Sequence, residues 1–228
     1  MIVGNGLIAS LFNEYDNENV VFFASGVSNS LETRKQEFLR EEHLVQKKLL
    51  ENPEKIFVYF STCSIYDSSK NDSLYVNHKL KIEQIIAHSA QKYLILRVSN
   101  AVGEGGNPNL LMNHLIHAVN TGKTIDVHTL ATRNLIDTED IREITLQLIA
   151  QGKYNKIVNI AYLYNYSIIE ILEIIERFYN QKTNLNLIKK GQNYSISTPD
   201  TLEHFTKKQL TDKEVYLLNI LKKYYATQ

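Results

Sequence analysis

Short apolar runs alternate along the chain with longer stretches in which apolar side chains recur every three or four positions. Met1-Ile-Val3 leads into Gly4-Asn-Gly-Leu-Ile-Ala9 and an amphipathic segment from Ile8 to Tyr15, which predicts a strand, a tight turn and a helix. Val20-Val-Phe-Phe-Ala24, ending in Ser25-Gly26, has the continuous apolar character of a buried strand. From Leu31 to Leu50 the apolar positions Phe38, Leu39, Leu44, Val45, Leu49 and Leu50 predict a helix, stopped by Asn52-Pro53. Ile56 to Phe60 reads as a third strand, Tyr75 to Ala90 as a helix and Tyr93 to Val98 as a fourth strand. Strands alternating with helices predict a parallel sheet.

Beyond Asn100 the pattern is less regular. A glycine-rich turn at Gly103-Glu-Gly-Gly106 precedes a helix from about Leu110 to Asn120, a short strand at Thr124 to His128 and a helix starting near Asp137. Ile157 to Ile160 reads as a strand. Ser167-Ile-Ile-Glu170 is a capping box opening a helix from Ile168 to Tyr179, and Asp212 to Tyr225 is one more helix.

A length of 228 residues with 43% hydrophobic side chains suits one α/β domain with a small lobe. The 25 basic and 25 acidic residues balance, so no global field draws nucleic acid or an anionic membrane, and neither is expected as a partner. Cys63 is the one cysteine, which rules out an internal disulfide framework and a cysteine-based zinc site and fits a reducing cytoplasm. The histidines show no ligand spacing, and no metal site is expected. With no long apolar run and no leader-like start, a soluble cytoplasmic protein is expected.

Two constellations carry chemistry. Gly4-Asn-Gly6-Leu7-Ile8-Ala9 has the spacing of a dinucleotide turn, in which the first glycine permits a tight bend, the second admits a pyrophosphate and the small third residue lets helix pack on strand. Glycines after a first strand also serve plain turns. The second is Tyr75-Val-Asn-His-Lys79, preceded by Ser61-Thr-Cys-Ser64 at the end of a strand. One helical turn separates Tyr75 from Lys79, so the ammonium can stabilise a phenolate and the tyrosine can trade a proton with a substrate oxygen. A hydroxyl from the strand end can hold that same oxygen. The spacing alone arises by chance in a chain with 14 tyrosines. The order of strand, hydroxyl cluster and helix is far more specific.

Gly4-x-Gly-x-x-Ala9, Tyr59-Phe-Ser-Thr-Cys-Ser-Ile-Tyr66, Tyr75-x-x-x-Lys79, Leu96-Arg-Val-Ser-Asn-Ala-Val-Gly103 and Thr132-Arg-Asn-Leu-Ile-Asp-Thr-Glu-Asp140 occur in that order. With these motifs the chain resembles the extended short-chain dehydrogenase/reductases, in the NAD-dependent epimerase/dehydratase branch that works on nucleotide sugars. The resemblance covers residue 1 to about residue 175. It implies a truncated, Rossmann-like, doubly wound parallel sheet with a small C-terminal substrate lobe. The core would be 1–102 plus about 129–160, and the lobe about 103–128 plus 161–228. It further implies NAD or NADP as cofactor, a nucleoside-diphosphate sugar as substrate and hydride transfer at a sugar carbon, C4 first. A place in making sugars for surface polysaccharides follows, and a homodimer is allowed. Carried over, Thr62 contacts the reacting oxygen, Tyr75 is the general acid/base, and Lys79 tunes Tyr75 and holds the nicotinamide ribose. Gly4, Gly6, Leu7 and Ile8 line the cofactor, Asn100 touches the sugar nucleotide and Arg133 its diphosphate.

The chain departs from the family's layout, which places two further strand-helix units between the first unit and the strand leading to an Ala-Ala or Ala-Gly turn. Here Val20 to Ser30 already resembles that later strand and turn, giving Ala24, Ser25 and Gly26 to the cofactor and removing the acidic residue for the adenosine ribose. Alternatively, Val20 to Ala24 is the ordinary second strand and Ser25 lies near the ribose. The first alternative is preferred on the Ala-Ser-Gly-x-Ser resemblance. Because the adenosine end is reduced, weak cofactor affinity is expected, and two classes stay open: a compact nucleotide-sugar epimerase or reductase, or a non-catalytic protein of the same fold that binds a nucleotide sugar or a partner enzyme.

Overall fold

The computed structural model describes residues 1–16, 18–105 and 110–226, so Gly106 of the expected glycine-rich turn lies outside the described residues. In chain order the elements are β1 (Ile2–Val3), α1 (Leu7–Ser10), β2 (Val20–Phe23), α2 (Lys35–Glu51), β3 (Ile56–Thr62), α3 (Leu74–Ser89), β4 (Lys92–Val98), β5 (Asn100–Val102), α4 (Leu111–Thr121) and β6 (Ile125–His128). Then come β7 (Thr132–Arg133), β8 (Leu135–Asp137), α5 (Thr138–Ala150), β9 (Lys156–Ile160), β10 (Tyr166–Ser167), α6 (Ile168–Tyr179), β11 (Leu185–Ile188), α7 (Pro199–Lys207) and α8 (Lys213–Tyr225). Contacts divide them into two units, Met1–Val98 with Thr138–Ile160 and Ser99–Asp137 with Ala161–Gln228. Residues 99–102 and 129–137 therefore fall in the second unit rather than the core, because β5 pairs with β8 and β7 with β10.

The first unit is a Rossmann-like parallel sheet in the order β1-β2-β3-β4-β9. Every residue of β2 and β3 is buried, as two-sided cover requires. On one face Val21, Phe23, Phe57, Tyr59 and Ile95 pack with Val45 and Leu49 of α2 and Ile82 and Ile86 of α3. On the other, Phe12 stacks on Phe22 at 4.4 Å and meets Phe60 at 5.5 Å. Arg142 of α5 reaches this side, 6.0 Å from the centroid of the Tyr15 ring.

The strand order decides between the two placements of the deletion. A second strand of the ordinary kind lies beyond β1, on the side away from the later strands. β2 instead lies between β1 and β3, so Val20–Phe23 is the later strand, and among the described residues no strand covers the outer side of β1. The half of the winding that reverses direction at β1 is the part that is missing. The β1–β2 connection passes by Phe12, on the face opposite α2 and α3, while moving the chain the same way across the sheet. Its hand is the reverse of theirs, against the strong preference for one hand in such crossovers.

The first helix is shorter than the amphipathic pattern predicts. Only Leu7–Ser10 is α-helical, followed by a 3-10 turn at Asn13–Tyr15 that brings the chain round Phe12 to β2. α2 begins at Lys35 rather than Leu31, after Glu32 has accepted the amides of Thr33 and Arg34.

In the second unit β11 extends β6 in parallel, and Tyr162 stacks on Tyr216 at 3.9 Å and meets Phe205 edge-on. The capping box is present, with Ser167 accepting the Glu170 amide at 3.1 Å and Glu170 accepting the Ser167 amide at 2.7 Å. Asp137 accepts from Lys223 at 2.9 Å and from the Tyr224 hydroxyl at 2.6 Å.

Candidate active site

β1 is followed by Gly4, whose φ of +127° is one that side-chain-bearing residues rarely adopt. A Cβ there would lie 2.6 Å from the Ala24 carbonyl oxygen and 3.0 Å from the Ser25 nitrogen, so the turn after β1 rests directly on the turn after β2. Gly6 is different. A Cβ on it would meet nothing within 4 Å, which leaves open space where a pyrophosphate is expected. Leu7 and Ile8 follow, half-buried, in a helix of a single turn that carries little of a helix macrodipole. Arg40 of α2 donates to the Ser25 carbonyl at 3.2 Å and to its hydroxyl at 3.4 Å.

Tyr75 and Lys79 sit one turn apart on α3, which Ser73 caps by accepting the Val76 amide at 3.5 Å. Both side chains are buried, Tyr75 among Val27, Val76 and their neighbours. The Lys79 ammonium lies 5.8 Å from the centroid of the Tyr75 ring. It also donates to Glu41 Oε1 at 3.0 Å and to the Tyr59 hydroxyl at 3.1 Å. The Tyr59 hydroxyl in turn donates to Glu41 Oε1 at 2.7 Å. Glu41 Oε2 accepts the Val27 amide at 2.7 Å and lies 3.0 Å from His78 Nε2. Burial alone would raise the Glu41 carboxyl, but the Lys79 charge and the hydrogen bonds from His78, Tyr59 and Val27 outweigh it and hold the group at about 2. The Tyr59 phenol is pushed well up by burial and by the Glu41 carboxylate beside it.

Thr62 closes β3. It is buried, and its Oγ1 accepts the Ser64 amide at 3.0 Å, which leaves its own proton to donate. Cys63 next to it donates its thiol to the Arg97 carbonyl at 2.9 Å, and burial raises the thiol far above the ordinary range. Gly26 is where the β2 turn meets Lys79, since a Cβ on it would lie 2.5 Å from Lys79 Nζ and 2.7 Å from Glu41 Oε1.

The second unit holds the two expected substrate residues. Asn100 opens β5 and donates to the Asn134 carbonyl at 2.7 Å. Arg133, half-buried on β7 opposite Tyr166, donates to the Thr132 carbonyl at 2.7 Å. Asn134 ties this region together. It is 1% exposed, donates to the carbonyls of Tyr162 and Tyr164 and to Asn165 Oδ1, and accepts the Tyr162 amide at 2.9 Å.

The model of the NAD dependent epimerase/dehydratase family matches residues 3–161. The chain belongs to this family. Solved structures of similar fold include the UDP-glucuronic acid 4-epimerase of Bacillus cereus, in complex with UDP-glucuronic acid and NAD, with a TM-score of 0.71, 22% identity and coverage of 97% of this chain and 77% of that one. The dTDP-glucose 4,6-dehydratase of Bacillus anthracis, in complex with NAD, has a TM-score of 0.67 at 14% identity, covering 96% of this chain and 78% of its own. RMD of Pseudomonas aeruginosa, complexed with NADPH, reaches 0.69 at 13% identity, covering 95% and 84% respectively. None of the curated proteins matches the chain.

Within this epimerase/dehydratase chain, Glu41 and Tyr59 in the first unit and Asn134 in the second bond beside the expected residues and have no role assigned from sequence. Glu41 had a local signal: with Phe38, Val45 and Leu49 it falls on the apolar stripe of α2, where an unpartnered carboxylate is not tolerated.

Proposed function

We propose that the protein transfers a hydride between NAD or NADP and a carbon, C4, of a nucleoside-diphosphate sugar, acting as an epimerase or a reductase. Tyr75 moves the proton, Lys79 supports it, and Thr62 holds the reacting oxygen. The observation that carries this is the placing of the Lys79 ammonium 5.8 Å from the Tyr75 ring on the helix that follows a strand ending in Thr62. Neighbours of the same fold solved with NAD, with NADPH and with a UDP-sugar support the class of cofactor and substrate.

The residues present fit part of such a cofactor. The open turn at Gly6 suits the pyrophosphate, and Tyr75 and Lys79 suit the nicotinamide ribose, while no described strand beyond β1 is available to the adenosine. When bound, the cofactor would supply a nicotinamide able to accept and return a hydride. Tyr75 would exchange a proton with the sugar oxygen, and the Thr62 hydroxyl would donate to the same oxygen. Arg133 offers a guanidinium fork to the diphosphate and Asn100 an amide to the sugar nucleotide.

Mass spectrometry of small molecules released on denaturation tests the proposal, followed by thermal shift with a panel of nucleoside-diphosphate sugars with and without added NAD and NADP. Retained cofactor, or a sugar-nucleotide shift enlarged by cofactor, is expected. A sugar-nucleotide shift with no response to either cofactor would favour the non-catalytic binding role, for which the single-turn α1 is the structural motive.

A further inference from the structure

We infer that Glu41 is a positioning residue of this site, fixing with one buried carboxylate both the Lys79 ammonium and the Gly26–Val27 turn. The inference rests on the cofactor proposal above, since Lys79 is given to the cofactor there and the family resemblance gives it Gly26. Oxygen by oxygen the division is plain: Oε1 takes Lys79 and Tyr59, and Oε2 takes the Val27 amide and faces His78. Glu41 and Lys79 come from different helices, Tyr59 from β3 and Val27 from the turn after β2, so one side chain joins four segments around Lys79.

Stability alone is a poor account of such a group. A buried ion pair gains little over well-packed apolar side chains of the same volume, because desolvation offsets the attraction. Its effect on Lys79 is more specific. An ammonium has three N–H donors, and here one goes to Glu41 and one to Tyr59, which leaves a single donor for the Tyr75 phenol or a ribose hydroxyl. Glu41 thus sets the direction of the one donor that Lys79 can offer. The charged and titratable groups gathered around Lys79 are Glu41 from α2, Tyr59 from β3, and Tyr75 and His78 from α3; the turn after β2 contributes backbone. Gly26 closes the arrangement from above, with no room for a side chain over Lys79 and Glu41.

The test uses NADH as the probe and the whole chain, with binding followed by calorimetry in a double-mutant cycle. Glu41→Gln is expected to weaken NADH by about tenfold or more, as loss of a charge-assisted contact does. In a Lys79→Met background the same substitution is expected to change binding less than about twofold. Gly26→Ala preserves every charge and presses directly on Lys79 Nζ and Glu41 Oε1, so where it folds it should weaken NADH by a similar factor. Wild-type affinity in Gly26→Ala or in folded Glu41→Gln overturns the role of Glu41 and leaves the cofactor proposal standing. So does an equal loss in both lysine backgrounds, which would show Glu41 acting through the fold alone. A wild-type chain that takes up no NADH at millimolar concentration removes the cofactor proposal, and this inference with it.

Discussion

Gly4 and Ala24 meet backbone to backbone, so closely that a Cβ on the glycine would stand 2.6 Å from the carbonyl oxygen of the alanine. Neither side can yield as a flexible side chain would, and the glycine's φ of +127° adds its own penalty for any other residue. Gly4→Ala should therefore destabilise the protein by about 2 kcal/mol or more in urea unfolding. Gly6→Ala, facing open space, should stay within about 0.5 kcal/mol of wild type and instead lose NADH affinity. Equal stability losses in the two variants would contradict this division.

Acid should unfold the protein partly through Glu41, held at about 2 against an ordinary 4.5. Because the folded-state value lies below the unfolded one, the stabilisation is full above about pH 4.5 and is lost as the pH falls toward 2. It corresponds to on the order of 3 kcal/mol. Urea midpoints measured from about pH 6 to about pH 2.5 should fall more steeply in wild type than in Glu41→Gln, which starts lower. Parallel curves would assign the acid sensitivity to other carboxylates.

Tyr75→Phe keeps the buried ring and removes the proton carrier. Turnover of a nucleotide sugar identified by thermal shift should drop by a factor on the order of 10² or more, with the dissociation constant for that sugar nearly unchanged. Full activity in the variant would take the acid/base role away from Tyr75.

Among the described residues no strand covers the outer side of β1, and this bears on cofactor choice. The carboxylate that accepts from an adenosine ribose belongs to the missing strand, and losing one charged contact costs about 1.5 to 3 kcal/mol, or roughly tenfold to a hundredfold in affinity. Calorimetry should give dissociation constants for NADH and NADPH in the high micromolar range or weaker, close to each other. A tight, strongly NAD-selective complex would show that this chain builds an adenosine site elsewhere.

What the sequence makes legible is what local pattern controls. Val20–Phe23 and Ile56–Thr62 are readable because two-sided burial leaves unbroken apolar runs, and Ser167 and Glu170 because a capping box is a four-residue device. β7, β8, β10 and β11 are not, since each is held by a partner distant in the chain, β7 and β10 by each other, β8 by β5 and β11 by β6. Asn134 gives no local sign of its role for the same reason: its acceptors lie at Tyr162, Tyr164 and Asn165. The position of β2 had two readings in sequence, and only its pairing with both β1 and β3 distinguishes them.

The way β9 enters the sheet bears on how the protein is made. β1 to β4 are each laid beside the strand before, so they can pair in the order in which they leave the ribosome. β9 pairs with β4 from Leu94 opposite Lys156 to Val98 opposite Ile160, after the chain has produced β5 to β8, α4 and α5. Closing so long a loop adds entropy cost slowly with length, but contacts this far apart in sequence form late. Until they do, one flank of β4, with Leu94, Ile95 and Leu96 at its centre, is an unpaired apolar edge in a nascent chain, and other copies or a chaperone can reach it before β9 does.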